Sequence, residues 1–291
     1  MKSPLPIAVL LTVLAMISSS SSLKINDTQV IVDPVPNPNP NATVELLPLM
    51  RSSHNENTLE DDSFNNNSTT ISAFAKSPTS SGRPFFEPLT TSLSDFIIPH
   101  DIGPSRWSCK YNRNEVHTSS QGTQISIGRQ SKLKPFSCGE LISRETRLDY
   151  GIYSIDLIST SVPGHVTAFF LVANGVTEID VELTGLNSNV FWANVWQGHK
   201  QNPTKIPLGF DAAKGWHTYA IEWRKDFIAW HVDGKQVLKR SDIGTVDPKK
   251  ADYRLAFNSW TQGVDDRTWA GQFKWPGQAV KSQFRNLRYT P

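Results

Sequence analysis

The stretch Glu178-Ile-Asp-Val-Glu-Leu183 alternates acidic and apolar side chains. Successive side chains of a β-strand point to opposite faces, so Glu178, Asp180 and Glu182 are predicted to share one face. The apolar residues between them would occupy the other face. The pattern therefore predicts a strand with one side toward a core and a row of three like charges on the other side.

Such a row of acids repels itself and has two interpretations. The first is a solvated outer face, where water screens each carboxylate. The second is glycosidic bond cleavage, which needs two carboxyl groups beside one sugar bond. Glu178 and Glu182 would lie about 13 Å apart along the strand. Side chains leaning inward can close that gap toward the roughly 5 Å of a retaining mechanism. Asp180 between them would raise the pKa of a neighbouring carboxyl.

The spacing of the other apolar segments indicates the fold class. All nine tryptophans lie between Trp107 and Trp275, and short alternating segments recur about every ten residues. The predicted strands are 152–158, 167–172, 177–183, 190–196, 216–223, 227–232 and 254–258. Asp233-Gly234 is predicted to close a hairpin turn. Regularly spaced strands without helices predict an all-β sandwich, in one folded domain over residues 83–291.

The acidic stretch resembles the E-x-D-x-E signature of family 16 glycoside hydrolases. The segments Leu208–Trp223 and Ile228–Gly234 resemble the licheninase branch, enzymes that cut mixed-linkage β-1,3-1,4-glucan, as does Phe85-Phe-Glu-Pro88. No residue is inserted between Asp180 and Glu182, whereas laminarinase-like relatives carry a bulge there. The resemblance covers most of residues 85–291.

This resemblance implies a β-jelly roll of the concanavalin A-like lectin/glucanase type, with a glucan cleft across its concave sheet. It also implies roles for the acids. Glu178 would be the nucleophile and Glu182 the acid/base, with Asp180 tuning the pair. The carboxylate spacing by itself permits these roles without requiring them.

Five further residues match sugar-contacting positions of the family. Glu140 corresponds to an acid near the cleavage point, Asn194 and Trp196 to a pair on the strand beside the acids, and Asn258 and Trp260 to an N-x-W near the end of the fold. Amides can bond sugar hydroxyl groups and aromatic rings can pack on a pyranose face. The alternatives are a surface carboxylate for Glu140 and core packing for Trp196.

The chain also departs from the licheninase pattern. The loop before the acids, residues 173–177, is shorter than in licheninases and has Thr177 where Asp is usual. The family's calcium-binding Asp is replaced by Arg285. Because a cation repels calcium, we expect no structural calcium. No other metal and no cofactor is expected either.

Other chemistries find no support in the sequence. The charge is balanced, with 29 basic and 27 acidic residues, so no nucleic-acid partner is expected. There is no nucleotide-binding glycine loop and no G-x-S-x-G motif. His217 is interpreted as structural, and His199 as a contact at the rim of the cleft. The expected partner is a β-glucan, bound by a monomer.

The N-terminus has the form of a secretory signal peptide, predicted over residues 1–22. Lys2 precedes the apolar run 6–17, which small residues follow, and the run is too short for a membrane anchor. No later run is long and apolar enough to cross a bilayer, so we expect a secreted protein, extracellular or in the cell wall, without a membrane partner.

In an oxidising compartment Cys109 and Cys138 are predicted to form a disulfide, with two buried thiols as the alternative.

Residues 23–82 are rich in Ser, Thr, Asn and Pro and have little apolar patterning. Such a composition cannot bury enough surface to offset the entropy of ordering, so we predict a disordered extension. This extension contains every N-glycosylation sequon of the chain, at Asn26, Asn41, Asn66 and Asn67.

These observations predict a secreted, retaining endo-β-glucanase that hydrolyses β-1,4 bonds in mixed-linkage glucan. The first alternative is a cell-wall transglycosylase of the same family, acting on xyloglucan or on chitin and β-glucan. The second is a jelly roll that binds carbohydrate without catalysis.

Overall fold

The computed structural model describes residues 84–102, 107–129, 135–173, 177–198, 200–245, 247–263 and 269–291. The predicted signal peptide and the extension with its four sequons lie outside the described residues. So do His199 and residues 174–176 of the shortened loop.

Almost all regular structure in the described residues is β-strand, apart from two 3-10 helices, Arg113–Glu115 and Pro248–Lys250. Both helices are single turns, so neither has the length that a membrane crossing requires. The strands are β1 (Phe85–Glu87), β2 (Phe96–Ile97), β3 (Cys109–Tyr111), β4 (Val116–Ser119), β5 (Gly122–Arg129), β6 (Phe136–Ser143), β7 (Gly151–Ile158), β8 (His165–Ala173), β9 (Thr177–Thr184), β10 (Val190–Gln197), β11 (Lys200–Gln201), β12 (Thr204–Pro207), β13 (His217–Trp223), β14 (Ile228–Val232), β15 (Lys235–Arg240), β16 (Tyr253–Thr261) and β17 (Val280–Thr290).

The strands form two layers. The acid-bearing sheet has the order β2-β6-β16-β8-β9-β10, with β11 and β12 both beside β10. The supporting sheet has the order β4-β5-β17-β7-β13-β14-β15, with β1 beside the C-terminal half of β17. Strand β6 belongs to the first sheet and also pairs with β5, so hydrogen bonding continues from one layer to the other. The predicted all-β jelly-roll sandwich is confirmed.

The core lies between the two layers and fixes the orientation of β9. Ile179, Val181 and Leu183 are buried in it, each at most 1% exposed. Removing one such side chain from water contributes about 1.5–3 kcal/mol to stability. From the supporting sheet, Trp230 Nε1 donates a hydrogen bond to the backbone oxygen of Asp180 at 2.9 Å. A one-residue slip of β9 would bury its acids in this core, so the register is strongly specified.

All seven predicted strands are present, with ends shifted by at most three residues. The Asp233-Gly234 turn is also confirmed, because both residues have positive φ, 50° and 79°. Among the strands of eight or more residues, β5, β6 and β17 were not predicted. In β17 the register shifts between Arg285 and Arg288, and Asn286 has a φ of 54°. This bulge breaks the alternation by which a strand is detected in sequence.

The predicted disulfide between Cys109 and Cys138 is present, with a Cα–Cα distance of 5.8 Å. It ties β3 to β6, which pair in parallel with Tyr111 opposite Cys138. The two-thiol alternative is therefore wrong. The bond holds the short strand β3 against the edge of the acid-bearing sheet.

Candidate active site

The three acids of β9 share one face of the acid-bearing sheet, as predicted. Strand β9 pairs with β8 and β10 along its whole length without a register shift. No bulge separates Asp180 from Glu182, so the period-2 alternation is unbroken. Their carboxyl groups therefore form a row on the side of the sheet away from the core.

This row is buried, and none of its acids forms an ion pair within the part of the chain that the structure describes. Glu178, Asp180 and Glu182 are 0%, 1% and 4% exposed, so the solvated-face interpretation is wrong. Apart from the acids themselves, no side chain or backbone group of the described residues donates a hydrogen bond to either oxygen of Glu178 or Asp180, or to Oε1 of Glu182. Burying carboxylates without partners costs several kcal/mol of stability, on the order of 1–3 kcal/mol or more for each group. Unpaired acids of this kind are typical of functional sites.

Burial raises the pKa of all three carboxyl groups, because it penalises the charged form. Repulsion adds to this effect. The charge of Glu182 raises the pKa of Glu178, the charge of Asp180 raises that of Glu182, and the charge of Glu178 raises that of Asp180. Three acids so close together cannot all ionise near neutral pH, so the group retains protons that it can donate.

A hydrogen bond between Asp180 and Glu178 separates the roles of these two groups. It lowers the pKa of Glu178, against the larger effect of burial, and adds to burial in raising the pKa of Asp180. Two ionised carboxylates only accept, so this bond forms when Asp180 carries the proton and donates it. Of these two groups, the bond makes Glu178 the one that ionises more readily.

Strand β10 places its two predicted sugar-contacting residues beside the acids. Trp196 lies directly opposite Glu178, and Asn194 directly opposite Asp180. Asn194 Oδ1 accepts a hydrogen bond from the backbone N–H of Asn202 at 3.1 Å, which orients the amide. Trp196 is 1% exposed and lies on the acid side rather than in the core between the sheets, and its Nε1 has no acceptor in the described part of the chain. Both residues remain predicted sugar contacts.

A second polar group lies on β6 and β16. Glu140 Oε1 accepts hydrogen bonds from the Tyr111 hydroxyl at 2.8 Å and from Asn258 Nδ2 at 3.0 Å. The same Nδ2 also donates to the Tyr111 hydroxyl at 3.1 Å. Burial raises the pKa of Glu140 to about 7, although both bonds lower it. Since Glu140 is 1% exposed, the surface-carboxylate alternative is wrong.

Strand pairing places Glu140 and Asn258 on the same face of the sheet as the three acids of β9. Asn258 pairs with Glu140 on one side and with Ala168 on the other, and Ala168 pairs with Glu182. Residues directly opposite in neighbouring strands share a face. Only the methyl group of Ala168 separates Asn258 from Glu182 along this row. The charge of Glu140 also raises the pKa of Glu178, so the two polar groups act on each other.

Trp260 is buried, and its ring stacks on Trp107 with centroids 4.3 Å apart and planes 12° apart. It follows Asn258 by two residues and so lies on the same face of β16. Its Nε1 has no acceptor among the described residues. Trp260 thus packs in a buried aromatic cluster next to Asn258, and its contact with sugar remains a prediction.

Tyr111 is the member of this site that the sequence analysis missed. A signal was present: Tyr111 follows Cys109 by two residues, as Glu140 follows Cys138 by two. A disulfide between strands brings residues at equal offsets close together. The parallel pairing of β3 with β6 then places the Tyr111 hydroxyl against the Glu140 carboxyl.

The position expected to lack calcium lies on the supporting sheet. The Arg285 guanidinium is 3.7 Å from Asp156 Oδ2 and lies over the Trp216 ring at 4.0 Å. A divalent cation does not fit there, because a fixed positive charge already faces the carboxylate.

His217 also lies on the supporting sheet. Its Nδ1 forms a hydrogen bond with Asp233 Oδ2 at 2.7 Å, consistent with the structural role expected of it.

Comparison with known proteins gives consistent results. The model of glycosyl hydrolases family 16 matches residues 104–277. The β-glucanase of Bacillus subtilis (strain 168) is 30% identical over 215 residues, which are 70% of this chain and 86% of the relative. The structure of Bacillus licheniformis β-glucanase superimposes with a TM-score of 0.63 at 26% identity, covering 72% of this chain and 99% of that one. A Crh5 transglycosylase structure has a TM-score of 0.58 at 17% identity, covering 71% and 83%, and shows the fold alone.

Proposed function

The chain belongs to glycosyl hydrolases family 16 and is a glycoside hydrolase, and we propose that it is a secreted endo-β-glucanase that cuts β-1,4 bonds in mixed-linkage β-1,3-1,4-glucan with retention of configuration. The observation that carries this proposal is the row of three buried acids on one face of β9, none of which forms an ion pair with a described residue. The β-glucanase relatives support the substrate class. The signal-peptide pattern supports secretion.

In the first step Glu178 attacks the anomeric carbon as a carboxylate. The bond between that carbon and the glycosidic oxygen breaks, and Glu182 gives its proton to the departing oxygen. The raised pKa of Glu182 keeps this proton in place until the reaction. The products are a glycosyl ester on Glu178 and a shortened glucan that leaves with a new hydroxyl group.

In the second step Glu182, now a carboxylate, takes a proton from water. The resulting hydroxide attacks the anomeric carbon and releases Glu178 as a carboxylate. Two inversions at the same carbon give net retention. A protonated Asp180 donates to Glu178 whenever that carboxylate is free, which stabilises the nucleophile between turnovers.

The first test replaces each proposed catalytic acid by its amide. Glu178→Gln and Glu182→Gln are expected to lower reducing-sugar release from barley β-glucan and lichenan at least about 10³-fold, because each removes an obligatory chemical role. Glu222→Gln is the matched control, since Glu222 lies on the supporting sheet with Arg224 and His231. It should leave activity unchanged. Activity of either catalytic variant near the wild-type level would refute the assignment.

Product analysis separates the proposal from its alternatives. Proton NMR of the first products should show the β-anomer, as retention requires, whereas the α-anomer would indicate inversion. Mass spectrometry of a reaction on one glucan oligosaccharide should show only shortened chains. Lengthened chains would identify a transglycosylase, and binding without any cleavage would identify a carbohydrate-binding jelly roll.

A further inference from the structure

We propose that Tyr111 is a positioning residue for sugar binding: its hydroxyl holds Glu140 and Asn258 in one arrangement that leaves one acceptor oxygen of each available for sugar hydroxyl groups. The inference deepens the proposed function and rests on it. It concerns a residue on β3, outside the strand that carries the acids.

The contacts form a closed triangle. The Tyr111 hydroxyl donates to Glu140 Oε1 at 2.8 Å and accepts from Asn258 Nδ2 at 3.1 Å, while Nδ2 also donates to Glu140 Oε1 at 3.0 Å. All three side chains are at most 1% exposed. Because Nδ2 must face the two acceptors, the amide of Asn258 has one orientation. Its Oδ1 therefore lies on the side away from Tyr111.

Tyr111 itself is held from several directions. Its backbone N–H donates to Ile102 and its carbonyl accepts from Asp101, both at 2.8 Å. The disulfide at Cys109 ties the start of β3 to β6. The ring packs edge-on against Trp107, with centroids 5.6 Å apart. A ring fixed in this way presents its hydroxyl in one place, which is the property that a positioning residue needs.

The triangle leaves two buried acceptors without donors. Within the described residues, Glu140 Oε2 and Asn258 Oδ1 have no hydrogen-bond partner. Buried acceptors without donors are unfavourable, so a ligand rich in hydroxyl donors gains by filling them. A glucose unit presents neighbouring hydroxyl groups that can donate to both oxygens. The row from Asn258 through Ala168 to Glu182 places that unit beside the bond to be cut.

The charges around the triangle make Tyr111 a permanent donor. Burial and the Glu140 charge raise the pKa of Tyr111 well above its ordinary value, so the hydroxyl keeps its proton. Among the described residues, three ionisable groups affect the pKa values within this triangle: Glu140 on β6, Tyr111 on β3 and Glu178 on β9. Glu115 packs against the opposite face of β6, where it accepts from Ser137 at 2.5 Å. Losing the Tyr111 donor would raise the pKa of Glu140.

The test measures sugar binding in Glu178→Gln protein, which does not turn over substrate. Adding Tyr111→Phe should weaken binding of a mixed-linkage glucan tetrasaccharide about tenfold by calorimetry, the loss expected for one hydrogen bond to a charged group. The pH midpoint of binding should also move upward. Tyr153→Phe is the matched control, because it too removes a buried hydroxyl, one that donates to the Asp149 carbonyl at 2.6 Å. Tyr153→Phe should change neither quantity.

A double-mutant cycle separates positioning from simple loss of stability. If Tyr111 acts through Glu140, Tyr111→Phe should weaken binding less than about twofold when Glu140→Gln is already present. Equal weakening in both backgrounds, or behaviour like Tyr153→Phe, would overturn the inference, whereas the proposed function would still stand on glucan cleavage by the wild-type enzyme. An otherwise wild-type protein that neither cleaves nor binds glucan would overturn the proposed function and this inference together.

Discussion

The acid-bearing sheet and the supporting sheet differ in the ion pairing of the acids that point away from the core. On the supporting sheet, Asp156 lies 3.3 Å from Arg288 and 3.7 Å from Arg285, and Glu222 lies 3.1 Å from Arg224. On the acid-bearing sheet, none of the outward acids forms an ion pair with any residue that the structure describes; they are Glu140, Glu178, Asp180 and Glu182.

The pKa values reflect this difference. Burial alone would raise the pKa of Glu222, but hydrogen bonds from Arg224 and His231 outweigh it and the pKa lies below its ordinary value. For Glu140 the same kind of bonds, from neutral groups, do not outweigh burial, and the pKa rises to about 7. The supporting sheet therefore stabilises its acids as anions. The acid-bearing sheet keeps protons on groups whose proposed task is to move them.

The largest expected difference between the sheets is in activity. Asp180→Asn should lower kcat/KM on barley β-glucan about 10²–10³-fold, because it removes the titrating neighbour that stabilises ionised Glu178. Asp242→Asn, on an exposed ion pair with Arg240, is the control and should have no effect. An Asp180→Asn enzyme within about threefold of wild type would exclude Asp180 from the proton arrangement.

A stability effect should dominate on the supporting sheet. Asp156→Ala removes the acceptor of Thr218 and Asn286, at 2.8 Å and 2.7 Å, and leaves two arginines without their carboxylate. We expect the free energy of unfolding in urea to fall by about 3 kcal/mol, with kcat/KM of the folded protein unchanged. An unchanged urea midpoint would mean that the ion pairs of Asp156 contribute as little to stability as exposed ion pairs do.

Glu140→Gln should change how stability depends on pH. The folded pKa of Glu140 is about 7 against an ordinary 4.5, so the folded state binds the proton more tightly. Wild-type stability should therefore fall as the pH rises from about 4.5 to about 7. The variant lacks this fall and should be more stable at pH 8 by at most roughly 3 kcal/mol, with no difference near pH 4.

Glu222→Gln should change the pH dependence of stability in the opposite direction and serves as the comparison with Glu140→Gln. Its depressed pKa adds stability above the unfolded value, and that stability is lost as the pH falls through the folded pKa. The variant should therefore be less stable than wild type at neutral pH, with the difference shrinking on acidification. Urea unfolding at several pH values measures both variants. Parallel pH curves for the two would contradict the contrast between the sheets.

The smallest expected effect concerns metal. Because the Arg285 guanidinium faces Asp156 at 3.7 Å, neither excess EDTA nor millimolar calcium should move the thermal midpoint by more than about 1 °C. Differential scanning calorimetry with and without each additive measures this. A fall of several degrees in EDTA would show that the fold depends on a metal after all.

The sequence predicted those features that depend on local alternation. The shared face of Glu178, Asp180 and Glu182 follows from period 2 within one strand, and the core on the other side supplied the reason for the register. Strand β17 shows where this stops, because the bulge at Asn286 changes which residues face inward. The burial of the three acids could not be predicted from the sequence either, because it depends on which residues of other strands and loops pack around them.

The amino-acid sequence by itself determined that three acids share a strand face, that two cysteines pair and that the chain forms a β-sandwich. Only the tertiary structure decided that Tyr111, Glu140 and Asn258 meet, across sequence separations of 29, 118 and 147 residues. The reason is physical. Alternation is set by the backbone of each strand, whereas contacts between distant strands depend on the order and register in which all the strands assemble.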